Sequence, residues 1–122
     1  TVLAHLMFEQ TVWQTSAHMR SGMAQYGSEF VATFGLLAVI FGGICYRQTA
    51  VPWLVGLYIT AAYWFTASTS FANPAVTIAR SFTDSFSGIF LGDMPFFIVA
   101  QMLAAAAASF VCGWLFADQS VK

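Results

Sequence analysis

Three long stretches without a charged side chain limit what this sequence can fold into. They cover residues 30–46, 48–79 and 94–117, and they are 17, 32 and 24 residues long. A helix of about 20 apolar residues crosses the hydrocarbon core of a bilayer, which is about 30 Å thick. The first and third stretches therefore each predict one transmembrane helix. Because they lie in the middle and at the end of the chain, neither is a removable signal peptide.

The overall composition supports this assignment. Charged residues make up only 7 % of the chain and apolar residues 59 %, whereas an ordinary soluble domain carries about 25 % charged residues. The net charge of −1 gives no basic patch for a nucleic-acid partner. The 17 % of aromatic residues excludes intrinsic disorder. The composition therefore predicts an integral membrane protein that lies in a lipid bilayer and binds no nucleic acid.

The 32-residue stretch needs a different explanation, because it is too long for one span and too short for two. Its first part is apolar to about residue 67, whereas residues 68–74 are polar, turn-like and uncharged. We expect one span, followed by a non-helical segment that re-enters the membrane and starts a short helix. Such a backbone is tolerated in a bilayer only where it is buried in protein or lines a wet cavity. The pattern therefore indicates a pore or a binding site.

The dipeptide Asn73-Pro74 marks the start of the short helix. Asn is a preferred N-cap residue, and Pro suits the first helical position. The helix N-terminus carries a partial positive charge, which at the membrane centre would repel cations and offer donors to a passing oxygen. In the alternative interpretation, Asn-Pro merely separates two hydrophobic helices.

The residues around this dipeptide resemble one known family. Asn73-Pro74-Ala75 is the signature tripeptide of the aquaporin and glycerol-facilitator (major intrinsic protein) family. The segment from Glu29 to Phe34 is similar to the Glu-x-x-x-Thr-Phe opening of a repeat's first helix in that family. Ala100-Gln101 is similar to the Ala-Gln pair in the helix that follows the re-entrant loop.

The resemblance implies an all-α membrane protein that contains one aquaporin-type half-repeat. Such a half-repeat consists of three transmembrane helices and a re-entrant half-helix. The spans are expected at about residues 29–46, 51–67 and 94–117, and the re-entrant loop with its half-helix at about 68–82.

Residues 1–28 are similar to the end of a preceding transmembrane helix and a connecting loop. This extension suits the second repeat, and thus a C-terminal half-repeat, although Val76-Thr77 after the tripeptide is more usual in first repeats. An N-terminal half, a second copy or a partner chain would then complete the pore. The resemblance further implies a homotetramer of complete pores in a bacterial inner (plasma) membrane.

The resemblance also implies which residues line the pore. Asn73, Pro74 and Ala75 would form its centre, and Val76 stands where the family's water channels carry a filter arginine. Two further filter positions are expected near Ala61 and near Ser70. A filter of small uncharged side chains is wider and less polar than one that admits only water. The pattern is similar to a bacterial branch associated with arsenic resistance. It therefore implies passage of water, glycerol-like polyols and metalloid hydroxides such as arsenite.

Two charged residues near the expected pore, Arg80 and Glu29, have two interpretations each. Arg80 lies one helical turn after Val76 and could reach the outer mouth; we favour an ordinary surface pair with Asp84. For Glu29, the resemblance implies a carboxylate that accepts hydrogen bonds from the backbone of the re-entrant loop, with Gln101 in a similar role. In the alternative, Glu29 is solvated among lipid headgroups.

The remaining polar residues predict no chemistry. His5 and His18 have no Cys or carboxylate at metal-ligand spacing, and no nucleophile is paired with a base. We therefore expect no enzyme, no cofactor and no metal, but a passive channel subunit. One alternative is a non-conducting structural half-repeat in a larger assembly. Another is a secondary transporter, which the absence of ionisable residues inside the spans disfavours.

Overall fold

The computed structural model of the chain describes residues 1–117, and these residues contain helices and loops but no strand. The helices follow in chain order as α1 Val2–Met7, α2 Met23–Tyr46, a 3-10 turn Gln48–Ala50, α3 Val51–Phe65, α4 Pro74–Arg80 and α5 Met94–Leu115. The all-α class predicted from the sequence is confirmed for this part of the chain. The expected third span ends at residue 117, close to the end of α5.

Helices α2 and α5 form the centre of the fold. They are 24 and 22 residues long, which corresponds to about 36 and 33 Å at 1.5 Å per residue. Both are long and apolar enough to cross a bilayer. Helix α5 buries Ala100, Ala104, Ala108 and Cys112 at every fourth position and packs against α2. Small residues on one face allow two helices to approach closely.

Helix α2 begins at Met23, six residues before the expected start at residue 29. The break lies at Gly22, whose φ of 119° is accessible to glycine but strained for other residues. Residues 23–28 carry no charge and no proline, so nothing in them stops the helix from starting early. As a result, Glu29 lies in the second turn of α2 and is fully buried.

Helix α3 is shorter than its expected span of 51–67. It has 15 residues, or about 22 Å, and it ends because Thr66 is extended, with φ −98° and ψ 137°. Tyr58 links α3 to α2, because its hydroxyl donates a hydrogen bond to Ala32 O at 3.0 Å. Gly35 makes this contact possible, because a Cβ there would overlap the Tyr58 side chain.

The distribution of side chains is the reverse of that in a soluble domain. Large aromatic residues point outward: Trp64 is 82 % exposed, Phe110 80 % and Trp114 77 %. Polar residues, by contrast, are buried between the helices, among them Glu29 and Gln101. An apolar outer surface of this kind is typical of contact with lipid or with another apolar chain.

Candidate functional site: the segment between α3 and α4

Residues 66–73 join α3 to α4 and are called the connecting segment here. Three of its residues have left-handed backbone conformations: Thr69 with φ 61°, Ser70 with φ 50° and Ala72 with φ 49°. Residues other than glycine adopt such angles at a cost of about 1–3 kcal/mol each when the surrounding structure holds them. Contacts from the rest of the fold must therefore fix this segment.

Most backbone N–H groups of the connecting segment are bonded inside the protein. Glu29 Oε2 accepts a hydrogen bond from Phe71 N at 3.2 Å, and Glu29 Oε1 accepts one from Ala72 N. Ser70 N donates to Ser68 Oγ at 3.3 Å, and Thr69 N donates to Thr66 O at 3.2 Å. The Phe71 and Ala72 donors compensate the buried Glu29 carboxylate, which would otherwise be costly to remove from water.

Four carbonyl groups in the middle of the same segment are left without partners. Within residues 1–117, no group donates a hydrogen bond to the carbonyl oxygens of Thr69, Ser70, Phe71 or Ala72. Backbone carbonyls in native proteins are nearly always paired with protein, water or a ligand. Four consecutive carbonyl oxygens are therefore unpaired within the described residues, although the residues that carry them are buried.

A hydrogen-bond network anchors α4 and the connecting segment to the two long helices. Gln101 Nε2 donates to Glu29 Oε1 at 2.8 Å and to Thr77 Oγ1 at 2.7 Å. Thr77 Oγ1 donates in turn to Asn73 O at 3.0 Å. Glu29, Thr77 and Gln101 are all buried. The sequence predicted no role for Thr77 in this network, although its position one turn after Asn73 was the available signal.

The side-chain oxygen of Asn73 caps α4, whereas its side-chain NH₂ group has no partner among the described residues. Its Oδ1 accepts from Ala75 N at 2.8 Å and from Val76 N at 3.4 Å. Its Nδ2 donates to no group among the described residues, and the side chain is exposed. Asn73 lines a cavity of about 220 Å³ together with Thr33 and Gln101. The two N–H donors of the Asn73 side chain are therefore unpaired, and Asn73 directly follows the four residues with unpaired carbonyl groups in the chain.

The expected filter residues occupy different surroundings. Val76 is half-buried and packs against the cluster of Phe71, Ile89 and Phe97. Ser70 is buried, and its Oγ has no partner in the part of the chain that the structure describes. Ala61 is exposed on α3. None of these three lines the cavity beside Asn73, whereas Pro74 does and Ala75 is exposed next to it.

The surface pair that we favoured for Arg80 is not formed. Asp84 Oδ1 accepts instead from Ala17 N at 3.0 Å, and the Arg80 guanidinium makes no ion pair within residues 1–117. The Arg80 Cζ lies 4.3 Å from the centroid of the Phe71 ring, which is cation–π distance. Arg80 therefore faces the connecting segment and not the neighbouring turn.

Arg20 was not singled out from the sequence. It is buried, and its guanidinium donates to Gly88 O and Phe86 O at 2.7 Å each and to Ser68 O at 3.2 Å. Burial, and then the charge of Arg80, lower the pKa of Arg20. Arg20 thus links the N-terminal residues 1–28 to the start of the connecting segment by a hydrogen bond. Its only sequence signal was an isolated charge in an otherwise uncharged region.

The described residues offer no metal centre. Among residues 1–117, no group of three His, Cys, Asp or Glu side chains comes close enough together to hold an ion.

One curated protein shows clear similarity to this chain. The chain is 60 % identical over 115 residues to the aquaglyceroporin AqpS of Rhizobium meliloti. The match covers 94 % of this chain and 49 % of the relative, so the chain spans about half the length of that protein. No protein-family model matches the chain, and no solved structure matches it significantly.

Proposed function

Because the chain belongs to the major intrinsic protein family, we propose that it forms one half of a passive transmembrane pore for water and small neutral solutes. The similarity to a protein described as an aquaglyceroporin supports this class of cargo. The two long apolar helices support an integral membrane location.

The observation that carries the proposal is the exposed Asn73 amide beside four unpaired carbonyl oxygens. A hydroxyl solute entering a narrow pore gives up water, and such a row of acceptors with one donor group replaces the hydrogen bonds it loses. Neither backbone carbonyls nor an amide binds a proton at neutral pH. The lining therefore favours neutral solutes and offers no proton relay.

The proposal needs a second half. We assign this chain to the C-terminal half-repeat, and the cavity of about 220 Å³ beside Asn73 is the place where a second Asn-Pro-Ala loop would face it. That loop comes from the N-terminal half of the same protein or from a second copy. Complete pores would assemble as homotetramers in a bacterial inner membrane.

We propose a wide filter for this pore. Val76, Ala61 and Ser70 are small and uncharged, so the outer constriction would admit glycerol-like polyols and metalloid hydroxides such as arsenite as well as water. Arg80, which lies one turn beyond Val76 on α4, would supply the positive charge that position 76 lacks.

A vesicle experiment tests the proposal. The intact protein is reconstituted into liposomes, and swelling rates are compared for water, glycerol and arsenite. We expect all three rates to exceed those of empty vesicles. Ala75→Trp, two residues after Asn73, should block all three, whereas Ala24→Trp, at the exposed start of α2, should not. Swelling equal to that of empty vesicles would instead support a non-conducting structural half-repeat.

A further inference from the structure

Residues 14–20 run along the loop that follows α4, and they are called the strap here. They have no regular secondary structure. Hydrogen bonds of 2.7–3.0 Å join them to residues 81–93: Ser16 N to Ser81 O, Ala17 N to Asp84 Oδ1, Asp84 N to Gln14 Oε1, Phe90 N to His18 O and Arg20 N to Asp93 Oδ2. The strap and the loop between α4 and α5 are therefore held together along their length.

Gly88 allows the strap to lie this close to the loop. The residue is buried, and a Cβ at this position would overlap Ser16 Oγ and Thr83 O. Any larger residue must therefore push the strap away from the loop. Position 88 thus offers a way to disturb the strap without changing a charged side chain.

Arg20, at the end of the strap, bridges the two sides of α4. Its Nε donates to Gly88 O and its Nη2 to Phe86 O, at 2.7 Å each, and both of these carbonyls follow α4. Its Nη1 donates to Ser68 O at 3.2 Å, in the segment before α4. The planar guanidinium fixes the directions of its donors, so it binds three carbonyl groups at once. Because these acceptors are neutral, the arrangement depends on the shape of the fork.

The contact with Ser68 lies directly before the left-handed residues of the connecting segment. Ser68 is fully buried, and the Arg20 Cζ also lies 5.1 Å from the centroid of the Phe71 ring. Left-handed residues such as Thr69 and Ser70 keep their conformation only where the surrounding structure holds them. Arg20 is therefore part of what fixes the position at which the row of unpaired carbonyl groups begins.

We propose that Arg20 is a positioning residue of the pore: it holds Ser68 and, through it, the carbonyl groups of residues 69–72 where a passing polyol needs them. Arg20 contacts no solute in this role. A polyol uses several acceptors at once, whereas a water molecule reorients to a single one, so a shift of the row should slow glycerol more than water. The hold on the segment stands on the contacts of Arg20, and the effect on solutes rests on the proposed channel function.

The effect on solutes is measured in vesicles as the ratio of glycerol to water permeability. The intact protein is reconstituted, and the permeabilities of empty vesicles are subtracted. We expect Arg20→Gln to lower the ratio about 3- to 10-fold, which corresponds to the loss of one hydrogen bond to the solute in the barrier. Loss of folded protein lowers both permeabilities alike and leaves the ratio unchanged. Arg47→Gln, at the exposed end of α2, should keep the original ratio.

Hydrogen exchange in detergent micelles measures the hold on the segment without transport. We expect the backbone amides of residues 68–72 to exchange about 10-fold faster in Arg20→Gln, as the loss of one hydrogen bond to a charged group implies. The amides of residues 100–110, in the middle of α5, should exchange as in the unchanged protein. Arg47→Gln should alter neither group of amides.

Two further variants keep the test decisive if Arg20→Gln does not fold. Gly88→Ala pushes the strap away from the loop, and Arg20→Lys keeps the charge but loses the fork. Both should lower the permeability ratio and speed up exchange at residues 68–72. Full recovery of the ratio by Arg20→Lys would overturn the role of the fork.

The two measurements separate the two parts of the proposal. Unaltered exchange at residues 68–72 in all folded variants would overturn the positioning role. Faster exchange with an unaltered permeability ratio would overturn the effect on solutes. Vesicles with the unchanged protein that conduct no faster than empty ones would contradict the channel function, and the exchange result would then decide the positioning role by itself.

Discussion

Gln101 on α5 reaches Glu29 on α2 through a hydrogen bond of 2.8 Å between Nε2 and Oε1. Gln101 is 1 % exposed and Glu29 is 0 % exposed. This bond joins the two long helices at the level of the connecting segment. The same carboxylate accepts hydrogen bonds from Phe71 N and Ala72 N. Glu29 therefore contributes both to the packing of the two long helices and to the conformation of the connecting segment.

Glu29→Gln should destabilise the fold by about 3 kcal/mol, because an amide cannot accept from Gln101 and from both backbone donors together. The measurement is thermal unfolding in detergent micelles. Glu9→Gln is the matched control, since Glu9 is exposed in the extension. Equal unfolding temperatures for the two variants would contradict the assigned role of Glu29.

Thr77→Val should cost about 1–3 kcal/mol, since the nearly isosteric change leaves the Gln101 amide without one acceptor, while Asn73 O keeps the backbone N–H of Thr77. Thr60→Val provides the comparison: Thr60 is exposed, and its hydroxyl bonds only to Gly56 O at 2.7 Å. That change should stay within about 0.5 kcal/mol. Thermal unfolding measures both, and a Thr77 effect no larger than that of Thr60 would count against the network.

Asn73→Asp should preserve α4, because aspartate is also a good N-cap, but should weaken the exclusion of cations. The substitution replaces two amide donors with a negative charge beside the unpaired carbonyls. Cation leak from reconstituted vesicles is the readout. Gln48→Glu, which adds a charge at an exposed position, should leave the leak unchanged. An unchanged leak with Asn73→Asp would refute the proposed role of the amide.

Val76→Arg should reduce glycerol passage more than water passage, because a long charged side chain narrows the outer filter. Val76 also packs against Phe71, Ile89 and Phe97, so the unfolding temperature must be measured in parallel. Val76→Leu adds bulk without charge and should act more weakly. Equal loss of water and glycerol passage by a folded Val76→Arg protein would remove Val76 from the filter.

Gly35→Val should destabilise the contact between α2 and α3 by about 1–3 kcal/mol, as overpacking does. The new side chain would occupy the place of the Tyr58 ring. Gly56→Val is the control, because a Cβ at Gly56 meets no atom within 4 Å. Thermal unfolding should separate the two variants, and similar unfolding temperatures would mean that α3 can move away without cost.

Local signals in the sequence were enough to predict the start of α4. Asn73 and Pro74 are adjacent, and the preferences of the N-cap and first helical positions depend on the chain only within one turn. The two long apolar helices were predictable for a similar reason, because their length and lack of charge are properties of continuous segments.

The surroundings of the two arginines were not predictable in this way. Arg20 donates to carbonyl groups 48–68 positions away in the chain. Arg80 lies over the Phe71 ring, and Asp84 accepts from Ala17 N. Both arrangements depend on where the extension lies in the folded protein. A spacing rule such as i,i+4 considers one helix only, so it predicted the wrong partner for Arg80.

The left-handed residues of the connecting segment have a consequence for biogenesis. Their conformation is held by Glu29, from a helix synthesised earlier, and by the link through Gln101 to a helix synthesised later. Helix α5 follows the segment in the chain and is synthesised after it. The conformation of the segment therefore depends on a helix that follows it in the chain, and all of its supporting contacts exist only after α5 has packed against α2.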